Sequence, residues 1–337
     1  MAGGALGRTQ VPLGSAVRTW PRSRACVLAL ALLVPWPCGT NIRTVFGQAV
    51  PQAVVYFCPM HPHVRMHGPG ACPLCRMALV PSDPLDVREY GLDMTTVPPS
   101  PPAGRPFQLR LIVRDLDTSA VVREFAVVHE KLYHLFVVSQ DLEHYAHLHP
   151  EQENDGSFVL DLALPRAGYY KVYSDFLPAG GTPQVFGQVL VTTGFSGDLA
   201  SSAARLVPDR VLKKTIAGMS VELQLPADGL IAGRTETFIY RMTDARTGAP
   251  VTDLEPYLGA WGHSLALSDD TVSVVHAHPT ELLPETGAAT GGGPVLTFKG
   301  LLPKAGGYRI WTQLKRGGTV FTVPFTVAVA SSSPVVR

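Results

Sequence analysis

The chain has 337 residues, room for two or three domains, and only 16% are charged, against 30 prolines and 32 glycines. That balance argues against long helices and coiled coils and suits short strands joined by many turns. A formal net charge of +1, with no basic block, gives no support to general electrostatic attraction to nucleic acid. In chain order, residues 1–49 read as an export signal. Arg8, Arg18, Arg22 and Arg24 precede an apolar run from Ala25 to Val34, which is short for a bilayer span but fits a signal core. Gly47 and Ala49 offer a cleavage site, and no second apolar segment of spanning length follows Val50. The expected location is therefore periplasmic or extracellular, without a stable transmembrane span after cleavage. The alternative is a membrane anchor through an uncleaved N-terminus.

Cys26 and Cys38 fall within this signal, leaving Cys58, Cys72 and Cys75. An odd number, with two in a C-x-x-C pair, makes a poor disulfide framework and a better metal site. Residues 50–81 hold the pattern C-x2-H (Cys58, His61) followed by C-x2-C (Cys72, Cys75). Two tight turns that each present two ligands can close a tetrahedron around Zn²⁺. So short a segment cannot build a core, and bound metal would supply most of its folding free energy. Met60, Met66 and Met77 crowd the same stretch; thioethers suit Cu⁺, and Met equally fills small cores.

Tyr56-Phe-Cys-Pro-Met-His-Pro62, then Gly68-Pro-Gly-Ala-Cys-Pro-Leu-Cys75 and Leu79-Val-Pro81, resemble a short heavy-metal-binding domain. That domain occurs near the N-termini of copper- and heavy-metal-transporting ATPases and in periplasmic efflux adaptors. The resemblance covers residues 56–81 and implies Cys58, His61, Cys72 and Cys75 as ligands. Arg76 stands where the family usually has Gly, and His63 where an acidic residue is common.

Residues 82–104 are rich in Pro, Ser and Asp and read as a linker. Strand-like runs then fill residues 105–195, and, after a second linker over 196–210, residues 211–330. The two series are an internal repeat. His134 is followed thirteen residues later by His147-Leu-His149-Pro150, and His263 thirteen residues later by His276-Ala-His278-Pro279. Pro165-Arg-Ala-Gly-Tyr-Tyr-Lys-Val-Tyr173 matches Pro303-Lys-Ala-Gly-Gly-Tyr-Arg-Ile-Trp311. The offset grows from 129 (His134 to His263) to 138 (Pro165 to Pro303), a difference assigned to the Gly-rich loop 285–293. Such agreement marks a duplication.

The expected fold is mainly β: a small zinc-ribbon-like knuckle followed by two repeated immunoglobulin/cupredoxin-like sandwiches. If Ser139–Leu142 and Ser268–Thr271 are four-residue hairpin loops, His134 faces His147 and His263 faces His276, with His149 and His278 on the same faces. Three imidazoles then converge in each copy, as a copper or zinc site requires. A water, Asp175 or a neighbouring side chain could complete the first site, and Gln313 occupies the position that matches Asp175 in the second. HxHP elements can equally end strands and hydrogen-bond across a sandwich. His129 and His144, which match Leu258 and Ser273, read as surface residues, with His129 able to add a ligand.

The sandwiches also resemble secreted bacterial β-sandwich proteins of poorly described function. The likeness to cupredoxins is loose, because the Cys and axial Met of an electron-transfer copper site are absent. The expectation is an extracytoplasmic protein binding Zn²⁺, Cu⁺ or Cu²⁺ for tolerance, sequestration or delivery, with a metal-efflux or delivery protein as partner. The alternative is a tandem immunoglobulin-like interaction module with a purely structural zinc knuckle. An enzyme is not expected, since no nucleophile elbow, phosphate loop or HExxH motif occurs.

Overall fold

The computed structural model describes residues 54–59, 61–73, 78–82, 86, 88–198, 204–284 and 291–332, except the side chains of His61 and Pro62. The expected export signal lies outside the described residues. Among those described there is no helix, and hence none long and apolar enough to cross a membrane.

Three short strands build the knuckle: β1 (Val55–Cys58), β2 (His61–Met66) and β3 (Val80–Ser82), in the order β2-β1-β3. The first sandwich comprises β4 (Tyr90–Val97), β5 (Pro106–Asp115), β6 (Tyr133–Ser139), β7 (Tyr145–Leu148), β8 (Glu151–Gln152), β9 (Phe158–Ala163), β10 (Tyr169–Phe176) and β11 (Gln184–Val191). Its sheets run β4-β5-β9-β8 and β11-β10-β6-β7. The second comprises β12 (Lys213–Ile216), β13 (Met219–Gln224), β14 (Leu230–Ile231), β15 (Thr235–Asp244), β16 (His263–Ser268), β17 (Val274–Ala277), β18 (Val295–Leu301), β19 (Gly306–Arg316) and β20 (Thr319–Ala330). Its sheets run β12-β13-β15-β18 and β14-β20-β19-β16-β17.

The linker expected over 82–104 is shorter than its composition suggests, because β4 occupies Tyr90–Val97 and pairs along β5. Tyr90, Leu92 and Met94 alternate into the first core; the neighbouring prolines obscure this period of two. Nor is the second linker idle. Leu206 packs between the sandwiches, and Asp209 bonds Thr326 through both backbone and carboxylate.

Each core fills from both of its sheets: Leu109, Leu111 and Phe158 meet Leu135, Val137 and Tyr170 in the first. Tyr240, Met242 and Phe298 meet Ile310, Val323 and Phe325 in the second. The duplication is visible in detail. The Tyr170 hydroxyl donates to Arg166 O at 2.9 Å, and that of Tyr308 to Lys304 O at 3.1 Å. Asp141 pairs with Arg166, and Asp270 with Lys304.

One arrangement positions the site. Every residue of β6 and of β16 is buried, because each strand has a core on both faces. Tyr133, Leu135 and Val137 enter the first core, while Phe136 and Val138 turn towards the other sandwich. There they meet Leu265, Leu267 and Trp311, and Tyr173 joins them. Tyr145 stacks on Trp311 with ring centroids 4.9 Å apart and planes at 9°, and the Tyr173 hydroxyl donates to Thr271 O at 2.6 Å. The two sandwiches therefore meet face to face, and histidines of both lie on that meeting surface.

Candidate metal centre

The hairpins that carry the histidines close one residue later than the spacing implies. Ser139 N donates to His144 O and Ser268 N to Ser273 O, so the loops are Gln140–Glu143 and Asp269–Val272. Ser139 Oγ accepts from His144 N and itself bonds Asp141; Ser268 does the same with Ser273 N and Asp270. Leu142 and Thr271 hold φ of 59° and 60°. The expected facing pairs are thus corrected: Phe136, not His134, stands opposite His147, and Leu265, not His263, opposite His276. A slip of two residues keeps every side chain on its face, so the convergence of the histidines survives. His134, His147 and His149 bring one nitrogen each to within 4.8 Å of one another, and so do His263, His276 and His278.

Hydrogen bonding sets the tautomers. His134 Nε2 lies 2.9 Å from Val128 O and His263 Nε2 2.8 Å from Tyr257 O. A carbonyl only accepts, so both Nε2 atoms carry the proton and both Nδ1 atoms present a lone pair. His276 Nδ1 lies 3.2 Å from Asp175 Oδ2, and His147 Nδ1 lies 2.8 Å from Gln313 Oε1. These nitrogens donate, which in a neutral ring leaves Nε2 of His147 and of His276 as acceptors. His134 Nδ1 then faces His147 Nε2 at 3.1 Å, and His263 Nδ1 faces His276 Nε2 at 3.5 Å. Two lone pairs at that distance repel unless a cation sits between them. Two ligands of a tetrahedral Zn²⁺ with ordinary Zn–N bonds stand about 3.3 Å apart. The third histidine of each copy adds an unused acceptor: His149 Nε2 and both nitrogens of His278 are buried without a hydrogen-bond partner.

The supporting groups are exchanged between copies. Asp175 of β10 orients His276 of the second triad, and Gln313 of β19 orients His147 of the first. Of the groups that could complete the first site, Asp175 bonds a histidine of the second triad. Each triad draws its outer partner from the opposite sandwich, and a carboxylate or carbonyl behind an imidazole fixes its tautomer and raises its basicity as a ligand. The triads are close neighbours: the ring of His276 lies 5.8 Å from that of His134 and 5.9 Å from that of His147.

His129 is not on the surface. It stacks on His278 at 3.6 Å, its Nε2 is buried without a partner, and its ring meets that of His263 at 5.4 Å. His129 and Glu130, with φ of 48° and 64°, are the central residues of a two-residue turn closed by Val128 and Lys131. Leu258 and Gly259, at 51° and 70°, form the matching turn. Left-handed backbone at two consecutive non-glycine residues is costly, of order 1 kcal/mol or more each, and here it presents an imidazole to the second triad. His144 is half-buried against Tyr170.

Burial, chiefly, keeps His129, His134, His147, His149, His263 and His278 neutral. Desolvation, reinforced by the His276 ring, holds His134 down at about 4, and desolvation beside His134 holds His149 at about 3. His129, His147, His263 and His278 are pushed well below the ordinary value, again chiefly by burial. A neutral imidazole is the form that ligates metal.

In the knuckle, Cys58 and Cys72 are both buried and pack with Leu79. Cys58 pairs with His61 in the β1–β2 register, and Leu79 N donates to Gly70 O at 2.8 Å, closing the second turn. Cys75 lies outside the described residues, as do Met60 and Met77, and the His61 side chain is not described.

A family model described as Domain of unknown function (DUF8832) matches residues 87–192 and 214–331. The chain belongs to that family. Its two matched segments are the two sandwiches, so each DUF8832 copy carries one histidine triad. A second model, the heavy metal binding domain, matches residues 55–82 and covers the knuckle. There the chain is 64% identical over 28 residues to the copper-exporting P-type ATPase of Legionella pneumophila, which is 8% of this chain and 4% of that protein. It is 63% identical over 27 residues to the silver exporting P-type ATPase of Salmonella typhimurium, 8% and 3% of the two chains. The chain thus spans only a few per cent of the length of these relatives. Among solved structures it is similar to FdeC, an Escherichia coli adhesin, with a TM-score of 0.23 and 15% identity over 75% of this chain and 67% of that one. Invasin, a bacterial integrin-binding protein, has a TM-score of 0.20 and 11% identity over 72% and 40%. Likenesses at these scores carry no argument, and the sandwich architecture rests on the strand pairing itself.

Proposed function

We propose that the protein is an extracytoplasmic binder of copper or zinc that holds or passes the ion in metal tolerance, sequestration or delivery. The role is binding rather than catalysis. One observation carries the reading: in both copies two imidazole nitrogens face each other, 3.1 Å and 3.5 Å apart, inside a buried interface, and as neutral rings bonded to the acceptors behind them they turn lone pairs on each other. A purely structural cluster would place a proton donor opposite each acceptor. Here the donors are spent on Val128, Tyr257, Gln313 and Asp175 instead. Three imidazoles with an open fourth position suit Zn²⁺ and Cu²⁺, and the thiolates of the knuckle suit Zn²⁺ and Cu⁺.

Metal content per chain, measured by elemental analysis after dialysis against Zn²⁺ or Cu²⁺, tests the proposal. Two or three equivalents are expected, falling by about one in H147A/H149A and by about one in H276A/H278A. A single equivalent indifferent to both replacements would reject the sandwich sites and leave the knuckle as a folding element.

A further inference from the structure

Each triad has a deeply enclosed member: His134 is 2% exposed and His263 1%. An ion from solvent needs a way in. A cavity of about 30 Å³, room for a water or a metal ion, reaches them between the sandwiches and the knuckle. His129, His134, Asp175 and His276 line it. Pro59, the residue that follows Cys58, lines it as well.

A second set of contacts holds the knuckle there. Ser82, at the end of β3, forms a bridge with Gly180, and its hydroxyl donates to Gly181 O at 3.3 Å. These glycines belong to the loop after β10, whose Leu177 and Pro183 line the same cavity. The knuckle is thus docked on a loop that lines the cavity, with the buried Cys58 next in sequence to Pro59 on its wall and a histidine of each triad on the same wall.

We infer that the knuckle loads the buried histidine centre: an ion captured at Cys58 and Cys72 passes through this cavity to His134 and His276. This rests on the metal-binding reading of the triads. The step is ligand exchange without change of oxidation state. A metal–thiolate bond breaks, a metal–imidazole bond forms, and the released thiolate takes a proton from solvent. Asp175, on the cavity wall, supplies a carboxylate that offsets the charge of the ion in transit.

Co²⁺ is the probe, because thiolate ligation gives a strong near-ultraviolet charge-transfer band and imidazole ligation only weaker visible bands. Added in substoichiometric amount to the metal-free full chain, it should raise the thiolate band first. The imidazole bands should follow at a first-order rate that does not depend on protein concentration. C58S/C72S should lose the first phase and fill the histidines at least ten-fold more slowly. P59W keeps every ligand and fills part of the cavity, so it should slow the second phase alone, which guards against a knuckle that fails to fold in the double variant. Equal or faster filling in both variants overturns the relay while leaving the histidine centre standing. Imidazole bands absent from the wild-type chain even with excess Co²⁺ overturn the centre itself, and the relay with it.

Discussion

The two triads share a sequence pattern, a register and a backbone acceptor, yet their surroundings differ. In the first, His134 and His147 stand 3.1 Å apart and Gln313 backs His147. In the second, His263 and His276 stand 3.5 Å apart, Asp175 backs His276, and His129 stacks on His278 where the other copy offers Leu258. Duplication preserved the ligands, while the groups behind them diverged. Because each supporting group comes from the other sandwich, neither triad is complete in one domain. The second triad, with a carboxylate and an extra imidazole, is the one expected to hold a divalent ion more tightly.

The comparison can be broken most severely at the interface. Trp311→Ala removes the ring that stacks on Tyr145 between the sandwiches, and a loss of about 3–5 kcal/mol is expected in denaturant unfolding. Both triads should weaken together; weakening of one alone would mean that they do not depend on a common interface.

Acid should act in the same sense on both copies. His134 and His149 sit at about 4 and about 3 in the folded chain, below the ordinary imidazole value of about 6.5. Between those values the unfolded chain binds more protons than the folded one, so metal-free stability is held above about pH 6.5 and lost as pH falls towards 4. The melting temperature should drop across that window, and H149Q should flatten the fall. A melting temperature constant from pH 7 to 4.5 would contradict the neutral, buried state of the rings.

Asp175→Asn gives the second triad an amide like that of the first. It should lower affinity there by about 10–100-fold, the usual cost of losing a carboxylate behind a ligating histidine, and the converse Gln313→Glu should tighten the first triad. Competition titrations read both. Smallest is His129→Leu, which copies the Leu258 environment: a several-fold weakening confined to the second triad is expected, and an equal change at both would deny His129 its place.

Much of this was legible in the sequence because the chain contains its own comparison. The six triad histidines and the Tyr170–Tyr308 and Asp141–Asp270 matches stand out when one copy is laid on the other. The hairpin register did not, because the loop length depends on Ser139 and Ser268 capping their turns and on left-handed backbone at Leu142 and Thr271. Tyr90–Val97 was obscured by flanking prolines, whose composition outweighed a short alternating run. His129, Asp175 and Gln313 stand out as candidates, but the triad each one serves is not legible, since their roles arise where two separate sandwiches meet and no spacing within one copy encodes that contact. For His129 the available clue was a histidine where the other copy has leucine.

The most direct test is anomalous scattering from crystals of the Zn²⁺-loaded chain. The account predicts an ion between His134 Nδ1 and His147 Nε2 and another between His263 Nδ1 and His276 Nε2, each at about 2.0–2.1 Å from its ligands. Zinc found at the knuckle alone, with the imidazole pairs still in direct contact, would contradict it.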